Sequence, residues 1–441
     1  MNASAQERAA QGKSRRDVVS RADQGKLNPA ERGFDPIDLL RASNRDRIPQ
    51  LLPIKYARMQ ESPFAFFRGS AAIMAADLGR LPHSGITVQL CGDAHVQNLG
   101  SFAAPDGKLV FDLNDFDETI PGPWEWDVKR MASSIVLAGR QVGQRPSMCR
   151  GAAQVFLETY FQWIAEFTRQ PILKVARQQL RRETLVEAVQ GALQQSRRSD
   201  PGDLLKKFTE IDSRGRRRFR DRRPDSWRVT GVNAAGVLDS LAAYRETLAP
   251  ERRHLFDLFQ SIDVGFKVVG TGSVGLRDYI VLLEGNGAQD PLFLQVKQAR
   301  ESVYSKYLPA GSYNHQGQRV IQGQRAIQPI SDLLLGWTTI GEHHFLVRQM
   351  SDRKGSIDLD RLRDGGLASL ALVAGELLAR GHARSGDVCA IHGYCGSGVK
   401  IVRAISVFAC RFADQAESDY KAFLAAIRSG KIRAGTEKRV S

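Results

Sequence analysis

The stretch Cys91–Glu118, CGDAHVQNLGSFAAPDGKLVFDLNDFDE, places polar side chains on both sides of a short apolar run. Asp93 and Asn98 stand five residues apart, and Asp115 follows Asp93 by twenty-two residues. The run between them, Lys108–Leu113, has the composition of a β-strand. Turns that flank one hairpin can bring three oxygen donors onto a single hard cation. The stretch therefore predicts a loop and an acidic turn that meet beside a hairpin.

These residue types suit phosphoryl transfer. That reaction needs a carboxylate to orient the attacking hydroxyl and oxygen ligands to hold Mg²⁺ against a triphosphate. Asp93 and Asn98 have the spacing of a base and a magnesium ligand on a catalytic loop. Each residue alone is better explained by a turn or a helix cap, which Asp and Asn both favour. The full set, in this order around a strand, favours the catalytic interpretation.

The motifs GDAHVQN, VFDLNDFDE and GPWEWDVKRMASS resemble the aminoglycoside and choline phosphotransferase branch of the kinase-like fold. The resemblance implies Asp93 as the catalytic base, with Asn98 and Asp115 as magnesium ligands. Asp117 is the alternative metal ligand, because the turn offers two acids. Asp127, at the start of a predicted helix, would be a structural residue that supports the catalytic loop.

A second segment offers groups that bind phosphate. Lys267–Leu283, KVVGTGSVGLRDYIVLL, is predicted to form a strand, a glycine-rich turn and a second strand. Glycine lets backbone N–H groups approach phosphate oxygens, and the strand LFLQVKQA follows with a lysine. The residues predicted to bind the nucleotide are Gly270, Gly272, Ser273, Gly275 and Lys297. ATP is expected between two lobes, with its adenine beside the strand EHHFLVRQM and a hinge near Arg348–Asp352.

In ordinary kinases the glycine loop and the lysine precede the catalytic loop, but here they follow it by about 170 residues. This order implies a circularly permuted, bilobal α+β fold of the kinase-like type. Proteins tolerate circular permutation because chain termini usually lie at the surface. The expected organisation is a flexible basic tail (1–34), a helical lobe (35–254), a β-rich nucleotide-binding lobe (255–351), C-terminal helices that complete the helical lobe (352–430) and a basic tail (431–441).

The chain from about Asp35 onward also resembles a bacterial family known as domain of unknown function 2252. The resemblance rests on LLPIKYARMQESPFAFFRGSA, the CGDAHVQN to WEWDVKRMASS block, VVGTGSVG, LFLQVKQA, GQRVIQGQR and LARGHARSGD. Membership in this family implies no substrate, because the family has no assigned reaction.

One feature departs from the kinase pattern. The lysine usually pairs with a glutamate from the next helix, yet the candidate helix, from about Gln316 to Leu335, offers only glutamines in its first half. Glutamine can orient an ammonium group but cannot neutralise it. Either Lys297 has another acid or phosphate partner, or ATP binds in a different pose. The second case would suit nucleotidyl transfer (AMPylation) or a nucleotide-binding protein without catalysis.

The chain has 441 residues, 42% of them apolar, and its length can fill one large bilobal core or two domains. No apolar run approaches the length of about eighteen residues that spans a membrane. Residues 1–30 lack a signal-type hydrophobic block. The protein is therefore expected to be cytoplasmic and not membrane-bound. Five scattered cysteines, an odd number, favour reduced thiols over disulfides.

The formal net charge is +15, and part of it lies between Lys174 and Arg228. Such a surface can attract nucleic acid or an anionic substrate. Only Phe219 and Trp227 interleave with the arginines, so base stacking is poorly supported and a solvated face is the favoured interpretation. The expected partners are ATP and an unidentified hydroxyl acceptor, and the sequence leaves the oligomeric state open.

Other polar clusters offer supporting candidates. His382, Cys389, His392 and Cys395 are zinc-ligand types, but their spacing does not match a paired knuckle and core thiols are favoured. The remaining candidates for support of the loop or for contact with substrate are His95, Asp127, Arg68, His382, Arg384 and Asp387.

Overall fold

The computed structural model describes residues 3–180, 187–198, 201–309, 311, 313–350, 354–363 and 365–435, and the chain is an α+β protein. Within these ranges the α-helices are α1 (Ala5–Val18), α2 (Pro36–Ala42), α3 (Leu52–Gln60), α4 (Pro63–Gly69), α5 (Ala71–Leu78), α6 (Trp124–Gln141), α7 (Pro146–Phe167), α8 (Ile172–Ala176), α9 (Glu187–Arg198), α10 (Pro201–Phe208), α11 (Gly231–Thr247), α12 (Pro250–Asp257), α13 (Gln316–Ile327), α14 (Gly366–Ser385), α15 (Val388–Cys395) and α16 (Val399–Arg428). The strands in the same part of the chain are β1 (Thr87–Leu90), β2 (Leu99–Ala103), β3 (Leu109–Leu113), β4 (Ile120–Pro123), β5 (Thr209–Ile211), β6 (Arg217–Phe219), β7 (Ser226–Val229), β8 (Gln260–Lys267), β9 (Asp278–Glu284), β10 (Pro291–Gln298), β11 (Gly336–Ile340), β12 (His343–Gln349) and β13 (Gly355–Ser356).

The largest sheet has six strands in the order β11-β12-β10-β9-β8-β7, and each neighbouring pair is antiparallel. Residues alternate between the two faces of a strand. Leu292, Leu294 and Val296 of β10 are therefore buried on one face, in a core shared with α11. Gln295 and Lys297 lie on the other face, where Phe293 packs with residues of α10, so the alternation LFLQVKQA aims the lysine away from the side covered by α11.

The sheet begins earlier in the chain than the boundary at residue 255 expected from the sequence. Strand β7, which has the sequence SWRV, pairs with β8, with Ser226 opposite Lys267. Apolar residues of α11, including Val237 and Leu241, are buried against the same sheet. The helix packs here because burial of its apolar side chains against the apolar face of the sheet removes them from water.

A helical body formed by α6, α7, α14 and α16 packs beside this sheet. Helix α14 lies against α7, and α16 lies against α6, so segments distant in sequence share one core. At its centre the rings of Trp124 and Tyr160 stack with 5.9 Å between centroids. The short pairs β1-β4 and β2-β3 lie on this body, and β13 extends the second pair. The turn that connects β3 to β4 is the acidic turn of the sequence analysis.

The N-terminal segment corrects the prediction of a flexible basic tail. Residues 5–18 form α1, which packs against α15 and carries a capping box between Ser4 and Glu7. Arg16 donates to the Tyr394 carbonyl at 2.8 Å, and Arg21 donates to the Cys395 carbonyl at 3.1 Å. The basic residues are thus held by backbone carbonyls at the end of α15, which attract cations. Residues 436–441 of the predicted C-terminal tail and 351–353 of the predicted hinge lie outside the described residues.

Across the described ranges, no helix combines the length and the apolar character needed to cross a membrane. Several arginines of the basic segment are paired with acids within it or on the sheet. The pairs are Arg216 with Asp212, Arg218 with Glu210 and Arg228 with Asp263. Part of this charge is therefore compensated locally.

Candidate active site

The loop that follows β1, residues 91–98, is joined to the acidic turn, residues 114–118, by the amide of Asn98. Its Nδ2 donates to the carbonyls of Asp93 and Asp115 at 3.0 and 2.9 Å. Its Oδ1 accepts from the Asp115 backbone N–H at 2.6 Å. Gly92 adopts a φ of +91°, and a Cβ there would overlap the Glu118 carbonyl. Asn98 thus fixes the loop against the turn, and only its second Oδ1 lone pair is left for a cation.

Asp127, in the first turn of α6, holds the beginning of the loop. Its carboxylate accepts from the backbone N–H groups of Cys91 and Gly92 at 2.7 and 3.0 Å. His382 lies 3.4 Å from the same carboxylate through Nε2, and its Nδ1 is 2.8 Å from the Tyr160 hydroxyl. Asp127 thus holds the backbone of the loop, and His382 lies behind Asp127.

Asp93 is paired with a residue that the sequence analysis did not select. Its Oδ1 accepts from Arg130 Nε at 2.6 Å, and a second N–H of the same guanidinium donates to that oxygen. Its Oδ2 lies 3.7 Å from His95 Nε2. Burial raises the pKa of Asp93, although Arg130 opposes this effect. Arg130 follows Asp127 by three residues on one helix, and this spacing, which puts both on the same face, is the signal that was missed.

The glycine loop, residues 270–275, and the lysine meet the acidic turn directly. Lys297 Nζ lies 2.5 Å from Asp117 Oδ2 and 3.9 Å from Asp115 Oδ1. Ser273 Oγ donates to the same Asp117 oxygen at 3.1 Å. Desolvation opposes ionisation of Asp115, but the charges of Lys297 and Arg348 outweigh it and lower its pKa. The partner of Lys297 is thus the acidic turn and not a helix glutamate.

The sheet face around Lys297 carries further charges that the sequence analysis missed. Asp278 of β9 is opposite Lys297 in the strand register, and Gln295 Nε2 donates to its carboxylate at 2.8 Å. Arg348 of β12 donates to Gln295 Oε1 at 2.9 Å. The pKa of Lys354 is lowered to about 7, first by the charge of Arg348 and then by desolvation. Positive charge is therefore concentrated next to the two acids of the turn.

Helix α13 contributes an arginine where a kinase pattern predicts a glutamate. Arg319 donates to the backbone carbonyls of Asp117, Thr119 and Arg300. Its guanidinium therefore ties the acidic turn to α13 through the main chain. The segment GQRVIQGQR contains this residue, but nothing in the spacing of the motif reveals which carbonyls it reaches.

The glycine loop is held by residues from the N-terminal part of the chain. Arg58 of α3 donates to the Gly270 carbonyl, and Arg47 donates to the Val274 carbonyl, both at 2.6 Å. Gly270 has a φ of +63°, a backbone conformation that favours glycine. A Cβ at Gly272 would lie 3.6 Å from the Arg68 carbonyl, so the loop passes over the end of α4.

Arg384 and Asp387, predicted as support for the loop or as substrate contacts, serve other elements. Arg384 donates to the carbonyls of Ala176 and Gln328, which ties α8 to the end of α13. Asp387 caps α15 by accepting from the Cys389 N–H at 2.9 Å. Neither residue contacts Asp93 within the described part of the chain.

The structure does not support a zinc site. No group of three or more His, Cys, Asp or Glu side chains among the described residues is arranged to hold a metal ion. All five cysteines are free. Burial raises the pKa of the Cys395 thiol, which is then a core residue and not a thiolate ligand.

A pH dependence follows from Asp278, whose pKa burial raises to about 6 from an ordinary 3.8. Between these values the folded state binds a proton that the unfolded chain has lost, so stability falls as the pH rises and stays lower above pH 6. Asp278→Asn removes this titration. At about pH 7.5 we expect thermal unfolding to give the variant a free energy of unfolding about 2 kcal/mol higher than that of the native protein. At about pH 4.5 less than half of this gain should remain. An equal gain at both pH values would contradict the assignment.

By fold and site, this is an α+β protein in which a loop, an acidic turn and a lysine-bearing sheet meet. A family model described as "Uncharacterized protein conserved in bacteria (DUF2252)" matches residues 47–426. The chain belongs to this family, as its motifs predicted. The comparisons with curated proteins and with solved structures found no match.

Proposed function

We propose that the protein is an ATP- and Mg²⁺-dependent phosphotransferase that acts on a hydroxyl group of a small molecule, with a bilobal, circularly permuted kinase-like fold. One observation carries the proposal. Lys297 and Ser273, on the sheet side of the cleft, both contact Asp117 of a turn that lies more than 150 residues earlier. Lysine, glycine loop and acidic turn are the parts that phosphoryl transfer assembles around a triphosphate. Such an enzyme would work in the cytoplasm, where ATP is available.

Asp115 and Asp117 are the residues that would hold Mg²⁺. Their carboxylates share one lysine, and Asp115 is half-exposed to the cleft. The ion is usually bound in proteins by one or two carboxylates, with waters and phosphate oxygens in the other positions. Two carboxylates and the spare lone pair of Asn98 fit that donor set. When bound, Mg²⁺ would neutralise charge on the β- and γ-phosphates.

Asp93 would orient the acceptor hydroxyl and take its proton. Arg130 holds Oδ1, and the other oxygen, Oδ2, faces His95 at 3.7 Å and is free for a hydroxyl. The raised pKa of Asp93 brings the carboxyl closer to neutral pH, which suits a general base. Arg130 and Asn98 keep that carboxylate in one orientation relative to the acidic turn.

The triphosphate would replace the acid that now pairs with Lys297. Lys297, Arg348 and Lys354 would then face phosphate oxygens, and the glycine loop would add backbone N–H donors. The adenine would lie beside β12, where the sequence analysis expected the hinge.

A second candidate, nucleotidyl transfer, is favoured by one observation. Helix α13 contributes Arg319 to the site and no glutamate, so Lys297 is not fixed in the way that positions the γ-phosphate in ordinary kinases. A different pose would present the α-phosphate to the same Asp93. A nucleotide-binding regulatory protein without catalysis is the remaining alternative.

Incubation with γ-labelled or α-labelled ATP, Mg²⁺ and a bacterial small-molecule extract separates these functions. We expect label from the γ position in the small-molecule fraction and label from the α position only in ADP. Transfer from the α position would favour nucleotidyl transfer. Nucleotide binding by calorimetry without transfer of either label would favour the regulatory alternative. Absence of any heat of binding at millimolar ATP would contradict all three.

A further inference from the structure

We infer that the acceptor carries an anionic group, a phosphate or a carboxylate, close to its reactive hydroxyl, and that Arg68 binds this group. The inference rests on the proposed function, because Asp93 defines the acceptor side of the cleft only if it is the base. It names the class of substrate, which the proposed function leaves open: sugar phosphates, polyol phosphates and hydroxy acids.

Arg68 lies at the end of α4. Its Nε is buried and has no hydrogen-bond partner among the described residues. Desolvation lowers its pKa, while the negative charges of Asp93, Asp115 and Glu61 act in the opposite direction. A buried donor without an acceptor is costly, and most such groups in proteins are satisfied by protein, water or ligand. A ligand anion would satisfy this one.

Arg68 forms no ion pair among the described residues, because Asp93 pairs with Arg130 and Asp115 lies 3.9 Å from Lys297. Arg130 is fully engaged, since its N–H groups donate to Asp93, to the Phe67 carbonyl at 3.2 Å and to Met74 Sδ at 3.5 Å. Asp93 is in turn neutralised by that pair. Burial and the charges of Arg68 and Arg130 lower the pKa of His95 well below its ordinary value, so its imidazole is uncharged at neutral pH.

The Arg68 carbonyl lies beside the glycine loop, but its guanidinium interacts with Asp93, the residue that defines the acceptor side. The electrostatic neighbours of this guanidinium are Asp93, Asp115, Glu61 and His95. The triphosphate side has its own cations on the sheet, Lys297 and Arg348. Arginine matches the planar, two-oxygen edge of a carboxylate or phosphate. A cationic amino-alcohol acceptor would be repelled at this position.

In the proposed step, the acceptor hydroxyl oxygen forms a bond to the γ-phosphorus, and the bond from that phosphorus to the β–γ bridging oxygen breaks. ADP leaves with the electron pair, and the hydroxyl proton passes to Asp93 Oδ2. Arg68 takes no proton; it is a binding residue that sets the position of the hydroxyl through the anionic group.

The test is calorimetric titration of glycerol 3-phosphate, with glycerol and choline as its uncharged and cationic counterparts. The protein is first saturated with Mg²⁺ and a non-hydrolysable ATP analogue, so that free phosphate groups cannot occupy the triphosphate positions. The variants are Arg68→Gln and a control, Arg41→Gln, which removes an exposed arginine whose nearest acid, Asp38, is 3.8 Å away. Arg68→Lys keeps the charge and serves if the glutamine variant fails to fold.

We expect glycerol 3-phosphate to bind the native protein and the Arg41 variant, and to bind the Arg68→Gln variant at least about tenfold more weakly, with Arg68→Lys between them. Neither glycerol nor choline should bind comparably. The inference is overturned if choline binds as well as glycerol 3-phosphate, or if Arg68→Gln weakens only the nucleotide analogue. It also fails if the native protein binds no glycerol 3-phosphate at about 10 mM.

Failure of the proposed function gives a different result. The ATP analogue would then not bind the native protein, whereas failure of the inference alone leaves analogue binding intact. If the analogue does not bind, glycerol 3-phosphate titrated into the nucleotide-free protein still measures whether Arg68 binds an anion.

Discussion

Replacement of Asp115 by Asn is expected to reduce transfer of the ATP label by about a thousandfold. The carboxylate is half-exposed in the cleft, and the charges of Lys297 and Arg348 keep it ionised by lowering its pKa. The amide of asparagine is isosteric but carries no charge to hold Mg²⁺. Steady-state label transfer measures the loss. Calorimetry should show that the substitution weakens the binding of ATP more in the presence of Mg²⁺ than in its absence.

The same substitution should leave the fold intact, because Lys297 keeps Asp117 at 2.5 Å and Asn98 bonds only the backbone of residue 115. A melting temperature within a few degrees of the native value would separate catalytic loss from unfolding. Asp106→Asn is the matched control, since Asp106 is exposed on the β2-β3 turn and pairs only with Lys108 at 2.9 Å. Native rates from the Asp115 variant would exclude this residue as a magnesium ligand.

Arg380→Leu is expected to cost about 3–5 kcal/mol of unfolding free energy. Arg380 of α14 pairs with Asp112 of β3, and the two side chains are 1% and 0% exposed. Leucine would leave Asp112 charged and buried without its partner. Burial already raises the pKa of Asp112 against the opposing charge of Arg380, so the variant should lose further stability as the pH rises above about 4. Denaturant unfolding at two pH values measures both effects.

A double variant tests the physical reason for that loss. Asp112→Asn combined with Arg380→Leu removes both charges and should recover most of the stability, since buried pairs replaced together are often neutral. Arg363→Leu is the control, because Arg363 is 58% exposed and its ion pair with Asp360 spans 3.5 Å. Its effect should stay within about 0.5 kcal/mol. A loss below about 1 kcal/mol in the single Arg380 variant would mean that water or rearrangement satisfies Asp112.

The parts of the site that local spacing governs were predictable. The hairpin between Asn98 and Asp115 follows from one apolar run between two turns, and these residues are hydrogen-bonded to each other. The alternation LFLQVKQA predicted the strand β10 that carries Lys297. For Asp127 the supporting role came from the family resemblance, and its carboxylate accepts from the backbone N–H groups of Cys91 and Gly92.

Charge compensation was not predictable in the same way. The basic composition of residues 1–34 indicated a flexible tail. Arg16 and Arg21 instead donate hydrogen bonds to backbone carbonyls of α15, which is far away in the chain. Arg384 and Asp387 lie beside motif residues in sequence and serve helices instead. Net charge counts the cations but does not say which acceptor each one meets.

The sequence by itself determined the short-range geometry of this protein: which acids share a turn, which strand faces hold the lysine and the leucines, and which family the chain belongs to. Only the tertiary structure decided that Lys297 pairs with Asp117, that Arg130 holds Asp93 and that Arg68 Nε has no hydrogen-bond partner among the described residues. The physical reason is that turns and strand alternation depend on neighbouring residues, whereas the neutralisation of a buried charge depends on strand register and helix packing between segments far apart in the chain.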